Sequence, residues 1–179
     1  MYMDHFLEEV VIKRNSGINR AIYYLSWVVM ILCALMAMIQ LQILLRAFSI
    51  FTLIFTLATA GIAVYIFFFH DKLMTEYEYT FTNGALDFAE VYNNKKRKSL
   101  GSLNVKTVDA FGKVSSGSFH RYINMQGIKR MNWFLNRDAE LYYFFFSKDS
   151  VKKIIVFEPS EEMVGMIRQY IPRGAYQEN

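Results

Sequence analysis

The spacing of apolar residues changes period along this chain. Between Ala21 and Phe69 they run almost unbroken, in AIYYLSWVVMILCALMAMIQLQILLRAFSIFTLIFTLATAGIAVYIFFF, with Arg46 as the single charge. As one helix the stretch would measure roughly 73 Å at about 1.5 Å per residue, more than twice a hydrocarbon core of about 30 Å. It must fold back. Polarity returns at Gln40, Gln42 and Arg46, which places two spans near 21–40 and 47–69. A cleaved signal peptide fits poorly, because its apolar region is about 7–15 residues and no second apolar run should follow it.

Ahead of the spans, in residues 1–20, Met3, Phe6, Leu7, Val10 and Val11 follow a helical i, i+3, i+4, i+7, i+8 spacing, with Glu9 four residues before Lys13. This predicts an amphipathic N-terminal helix, broken at NSG, 15–17. It should lie on the membrane surface or dock on the downstream domain.

From Lys72 onwards, in residues 72–179, the period becomes two. In EYEYTFTNGALDFAEVY, Tyr77, Tyr79 and Phe81 share one face, Leu86 and Phe88 continue it, and Glu76, Glu78 and Asp87 point outward. Asn83-Gly84 between the runs predicts a tight hairpin, since both turn positions need positive φ. Short apolar pieces follow in SLNVKTVDAFGKV, and SSGSFHRYINMQG reads as a loop. IKRMNWFLN, ELYYFFFS and KKIIVF read as strands separated by turns at Arg137-Asp138 and Lys148-Asp149-Ser150. Six or seven short strands predict an antiparallel barrel or sandwich.

A terminal helix should start at Pro159-Ser160 and stop at Pro172 and Gly174. Its apolar face of Met163, Val164, Ile167, Tyr170 and Ile171 suits it to cover an open end of such a barrel. The fold class is therefore an α+β membrane protein, a two-helix transmembrane hairpin followed by a small β domain.

Charge adds orientation. Lys13, Arg14 and Arg20 precede the first span, Lys72 and the run Lys95, Lys96, Arg97, Lys98 follow the second, and only Arg46 lies between them. The positive-inside rule then places both termini in the cytoplasm, with the protein multi-pass in the cell membrane. Tyr23, Tyr24 and Trp27 on the first span and Phe67 to Phe69 on the second mark one interface. Thr52, Thr56, Thr59, Ala60 and Ala63 give the second span a stripe of small residues for close helix approach. Without acidic or histidine residues inside the spans, a transporter or channel is disfavoured.

Candidate chemistry is sparse. Cys33 is the only cysteine, so an intramolecular disulfide is impossible. His5, His70 and His120 show no metal-ligand spacing, and GKVSSGS at 112–118 lacks the strand and helix context of a phosphate loop. His120 near Ser115, Ser116 and Ser118 is a weak nucleophile-and-base candidate, and Asp87 and Glu90, three apart in a strand, face opposite ways. The expectation is no enzyme, no metal and no cofactor. A formal net charge of only +4 argues against nucleic-acid binding through the basic run.

The two spans, the EYEYTFTNGALDF hairpin with its basic turn, and the closing EPSEEMVGMIRQYI resemble small Gram-positive two-span membrane proteins with a C-terminal pleckstrin-homology-like domain. The resemblance implies a seven-stranded, partly open barrel at the inner leaflet, serving as a non-catalytic interaction module. Its partners would be the lipid bilayer, anionic lipid headgroups or a protein. It also implies that Lys95, Lys96, Arg97 and Lys98 occupy a place comparable to headgroup-contacting cations, without the phosphoinositide ligand. Asn93-Asn94 ahead of the run predicts a turn with all four cations at its tip. Alternatives are an enzyme acting on lipid headgroups or a nucleic-acid-binding membrane protein; the run itself reads first as a solvated turn that reinforces the positive-inside orientation, and second as a lipid contact.

Overall fold

A computed structural model describes residues 5–14 and 16–178. The chain divides into two units, residues 15–75 and residues 1–14 with 76–179.

The first unit is helical. Helix α1 spans Ser16–Arg46 and α2 spans Ile50–Phe69, followed by a 3-10 turn over His70–Met74. Both helices are long and apolar enough to cross a membrane. The reversal falls at 47–49, later than Gln40 and Gln42 suggest, because both glutamines are accommodated within α1. Gln40 is matched across the hairpin by Thr59, whose Oγ1 lies 3.4 Å from Gln40 Oε1 and also donates to the Phe55 carbonyl at 2.9 Å. Thr56 and Thr59 are the buried positions of α2, and Thr52, Ala60 and Ala63 are half-buried on the same stripe, as expected for close helix approach. At the open end, the rings of Tyr23 and Trp27 stand 5.5 and 5.0 Å from that of His70, so aromatic residues of both helices gather there.

In the second unit, residues 6–11 are not helical. They form strand β1, Phe6–Val11, antiparallel to β2, Thr75–Thr82. The helical spacing misleads here because a helix so short gains little by itself, whereas β2 offers a ladder and Val10, Val11 and Ile12 are β-branched. Leu7, Glu9 and Val11 turn inward and Phe6, Glu8 and Val10 outward. Glu9 accordingly lies on a strand, without the helical i, i+4 relation to Lys13, and Met3 lies outside the described residues.

Strands β3, Ala85–Tyr92, and β4, Lys96–Asn104, complete a four-stranded sheet in the order β1-β2-β3-β4. The turn joining β2 to β3 has positive φ at both Asn83 (50°) and Gly84 (96°), as the Asn-Gly pair requires. A side chain at Gly84 would also strike Lys106 and Tyr170.

A second sheet holds β5 (Ala110–Lys113), β6 (Lys129–Trp133), β7 (Tyr142–Lys148), β8 (Val151–Phe157) and the short β9 (Tyr176–Gln177), ordered β6-β8-β7-β5-β9. Asp149 and Ser150, both at positive φ, turn β7 into β8. The antiparallel expectation needs correction, since β6 pairs with β8 and β5 with β9 in parallel. So does the barrel. Among the described residues the strands form two sheets and no closed barrel.

The two sheets share one core. Tyr79, Phe81, Leu86 and Phe88 from the first meet Phe111, Phe144, Ile155 and Phe157 from the second, and Met163, Val164 and Ile167 cover them from helix α4, Glu161–Tyr170. Ser160 caps α4 by accepting the Met163 N–H at 3.2 Å, and Glu161 and Glu162 sit at the positive end of its dipole. The stretch expected as a loop contains a further helix, α3, Gly117–Ile123. Its Phe119 joins Tyr143, Phe145, Ile154 and Val156 in a second cluster on the far face of the second sheet.

Candidate functional site

The basic run divides between a turn and a strand. Asn93 and Asn94 take positive φ (50° and 53°), and Lys95 ends the turn with its N–H on the Tyr92 carbonyl at 3.0 Å. Lys96, Arg97 and Lys98 belong to β4, opposite Tyr92, Val91 and Glu90. The expectation of four cations on one turn tip is therefore corrected. A strand alternates its side chains, so Arg97 points to one face and Lys96 and Lys98 to the other.

All four are exposed, and acids stand beside Arg97 and Lys98. Arg97 Nη2 lies 2.8 Å from Glu78 Oε2, and Lys98 faces Glu90 across the ladder. Glu90 also accepts from Tyr92, whose hydroxyl is pushed up to about 12, first by burial and then by that carboxylate. Among the described residues β4 is the last strand of its sheet, so Lys96, Arg97 and Lys98 lie on an edge, where charged residues discourage edge-to-edge pairing.

A cleft of about 470 Å³ opens on the other edge of the same sheet. β1 and the residues after it form one wall, through Glu9, Val10, Ile12 and Arg14, and Asn136, Glu140 and residues 158–161 form the other. Asn136 is buried and ties the walls together. Its Nδ2 donates to the Ile12 carbonyl at 3.0 Å and to Glu158 Oε1 at 2.9 Å, while its Oδ1 accepts the Arg14 N–H at 2.9 Å. Glu158 also accepts the Asn136 N–H at 3.1 Å. Glu9 accepts the Ser160 N–H at 3.1 Å, and burial holds its carboxyl above the usual range. Beneath them the buried Tyr79 hydroxyl donates to the Trp133 carbonyl and accepts the Glu158 N–H at 3.3 Å.

The cleft's charged lining is mostly acidic, Glu9, Glu140, Glu158 and Glu161 against Arg14. Arg14 pairs with Asp138 at 3.2 Å and Glu140 with Lys113. Sequence reasoning missed this cleft, because it depends on β1 joining the sheet. A run of β-branched residues at 10–12 was the available signal.

The weak nucleophile candidate separates. The Ser116 and Ser118 hydroxyls lie 2.8 Å apart, Ser118 reaches the Tyr143 hydroxyl at 2.9 Å, and His120 points to an exposed position on α3. Among the described residues, no group of three or more His, Cys, Asp or Glu side chains could hold a metal ion.

No curated protein and no solved structure matched this chain. A family model does match, over residues 3–177, a stretch that takes in β1, both apolar helices and every later element. The chain belongs to the family described as Bacterial PH-like domain (DUF6106).

Proposed function

We propose that this protein is a membrane-anchored, non-catalytic interaction module. Its helical hairpin spans the cell membrane twice, both termini are cytoplasmic, and the PH-like domain is held at the inner leaflet for a protein partner or anionic lipid. The observation that carries the reading is the pairing of β1 with β2. These neighbours flank the whole hairpin in sequence, so residues 11 and 77 must lie on one side of the membrane and the number of crossings between them must be even. The cations flanking the hairpin favour the cytoplasmic side.

Thiol labelling of intact cells tests the reading. With Cys33→Ser as background, Phe48→Cys at the reversal should react with an impermeant reagent and Glu178→Cys should not. Labelling at 178 would reject the cytoplasmic domain.

Headgroup contact through Lys95, Lys96, Arg97 and Lys98 is the lipid form of this reading. Exposure of all four supports it, and each cation near an anionic leaflet is worth roughly 1 kcal/mol.

A further inference from the structure

We propose that the outer edge of β1 is a docking site for an extended, basic peptide segment, added as a strand within the cleft that this edge borders. The proposal rests on the interaction-module reading and names a partner class for it. Asn83 donates its N–H to the His5 carbonyl at 3.0 Å, which fixes the phase of the ladder. Odd residues of β1 turn their backbone groups to β2, and Phe6, Glu8, Val10 and Ile12 turn theirs the other way.

β1 ends its sheet, so no further strand takes up that row among the described residues. One end of the edge already shows what it accepts. The Asn136 side-chain amide donates to the Ile12 carbonyl and accepts from the Arg14 N–H, as one residue of a parallel neighbouring strand opposite Lys13 would. The cleft continues from this amide along Val10 and Glu9.

Charge selects the occupant. Backbone pairing would give affinity that is indifferent to sequence, and side chains at alternate positions would give preference. Glu9, Glu158 and the exposed Glu161 favour Lys or Arg at those positions and oppose acidic segments. A volume near 470 Å³ lies within the range of about 300–1,000 Å³ usual for ligand clefts.

The test uses the full chain in nanodiscs of zwitterionic lipid and a fluorescent, end-blocked pentapeptide, Thr-Lys-Val-Lys-Thr, followed by anisotropy. It should bind at least tenfold more tightly than Thr-Glu-Val-Glu-Thr. Val10→Pro removes an N–H that faces the cleft and none that faces β2, and should weaken binding at least tenfold. Should this variant misfold, the peptide N-methylated at its central Val makes the same test on the parent chain and should lose affinity equally. No binding of the basic peptide, or equal binding of the acidic or methylated one, would overturn the proposal. So would a concentration-dependent dimer that the peptide cannot displace, which would assign the edge to a second copy. Thiol labelling is read separately, so failure here leaves the anchored-module reading standing.

Discussion

Val11 and Tyr77 stand opposite each other as antiparallel partners, although both apolar helices lie between them in sequence. The helical hairpin is thus the connection of a β-hairpin, and the first strand of the PH-like domain precedes it. One consequence concerns dissection. A fragment of residues 72–179 lacks β1, leaves Asn136 without Ile12 and Arg14, and uncovers core packed by Leu7 and Val11. It should aggregate or melt well below a protein in which residues 1–14 are joined to 75–179 by a short Gly-Ser turn, as thermal melting of both would show. Equal melting would mean that β1 adds nothing.

Asn136→Ala should destabilise the domain by about 1–3 kcal/mol, since it removes the hydrogen bonds that the buried Asn136 side chain makes to the Ile12 carbonyl, the Arg14 N–H and the Glu158 carboxylate. Denaturant midpoints of the full chain in detergent would measure it. A shift within error would show that water replaces the amide.

Glu9 gives a pH signature. Burial raises its carboxyl in the folded state, so the folded protein holds this proton more tightly than the unfolded chain does. Its contribution is most favourable below the ordinary glutamate range and is lost as pH rises through that range to the raised value. Glu9→Gln, which can still accept from Ser160, should flatten this part of the stability profile and be relatively more stable at neutral pH. An unchanged slope would contradict the assignment.

Helix α4 should be essential to the core. Ile167 is fully buried beneath it, and Ile167→Asp places a carboxylate there at a cost of at least about 3 kcal/mol. A full chain that melts like the parent would show that α4 is undocked.

For the basic run, a dye on Asn94→Cys, in Cys33→Ser background, reports headgroup contact by quenching from spin-labelled lipid. Quenching should rise in anionic nanodiscs, fall with salt, and disappear when Lys95, Lys96, Arg97 and Lys98 are all changed to Gln. Salt-independent quenching, or the same quenching in the Gln variant, would leave the run a charged sheet edge.

Much of this architecture is legible in local pattern. The two long apolar helices, the Asn83-Gly84 turn, the strands at the start of the domain and the capped α4 each carry a signal within a few residues. β1 does not, because its partner lies beyond the hairpin and six residues fit both periods. α3 is hidden in a polar stretch, yet its need is written elsewhere. Tyr142 to Phe146 are all buried, with Tyr142, Phe144 and Phe146 in one cluster and Tyr143 and Phe145 in the other. A strand apolar on both faces demands a cover on each. The cleft was illegible because its walls meet only in the fold, and the cations divided because strand pairing begins at Lys96.

The pairing of β1 with β2 across the apolar helical hairpin can be trapped by a disulfide. Glu8 and Thr80 are partners without mutual backbone hydrogen bonds, where side chains come closest. Glu8→Cys and Thr80→Cys in a Cys33→Ser chain, with a protease site inserted at 47–49, would be oxidised in isolated membranes and then cut. Paired strands give two fragments that stay joined until reductant is added, whereas Glu8→Cys with Glu76→Cys gives separate fragments. Fragments that separate without reductant in the Glu8–Thr80 pair would contradict the pairing.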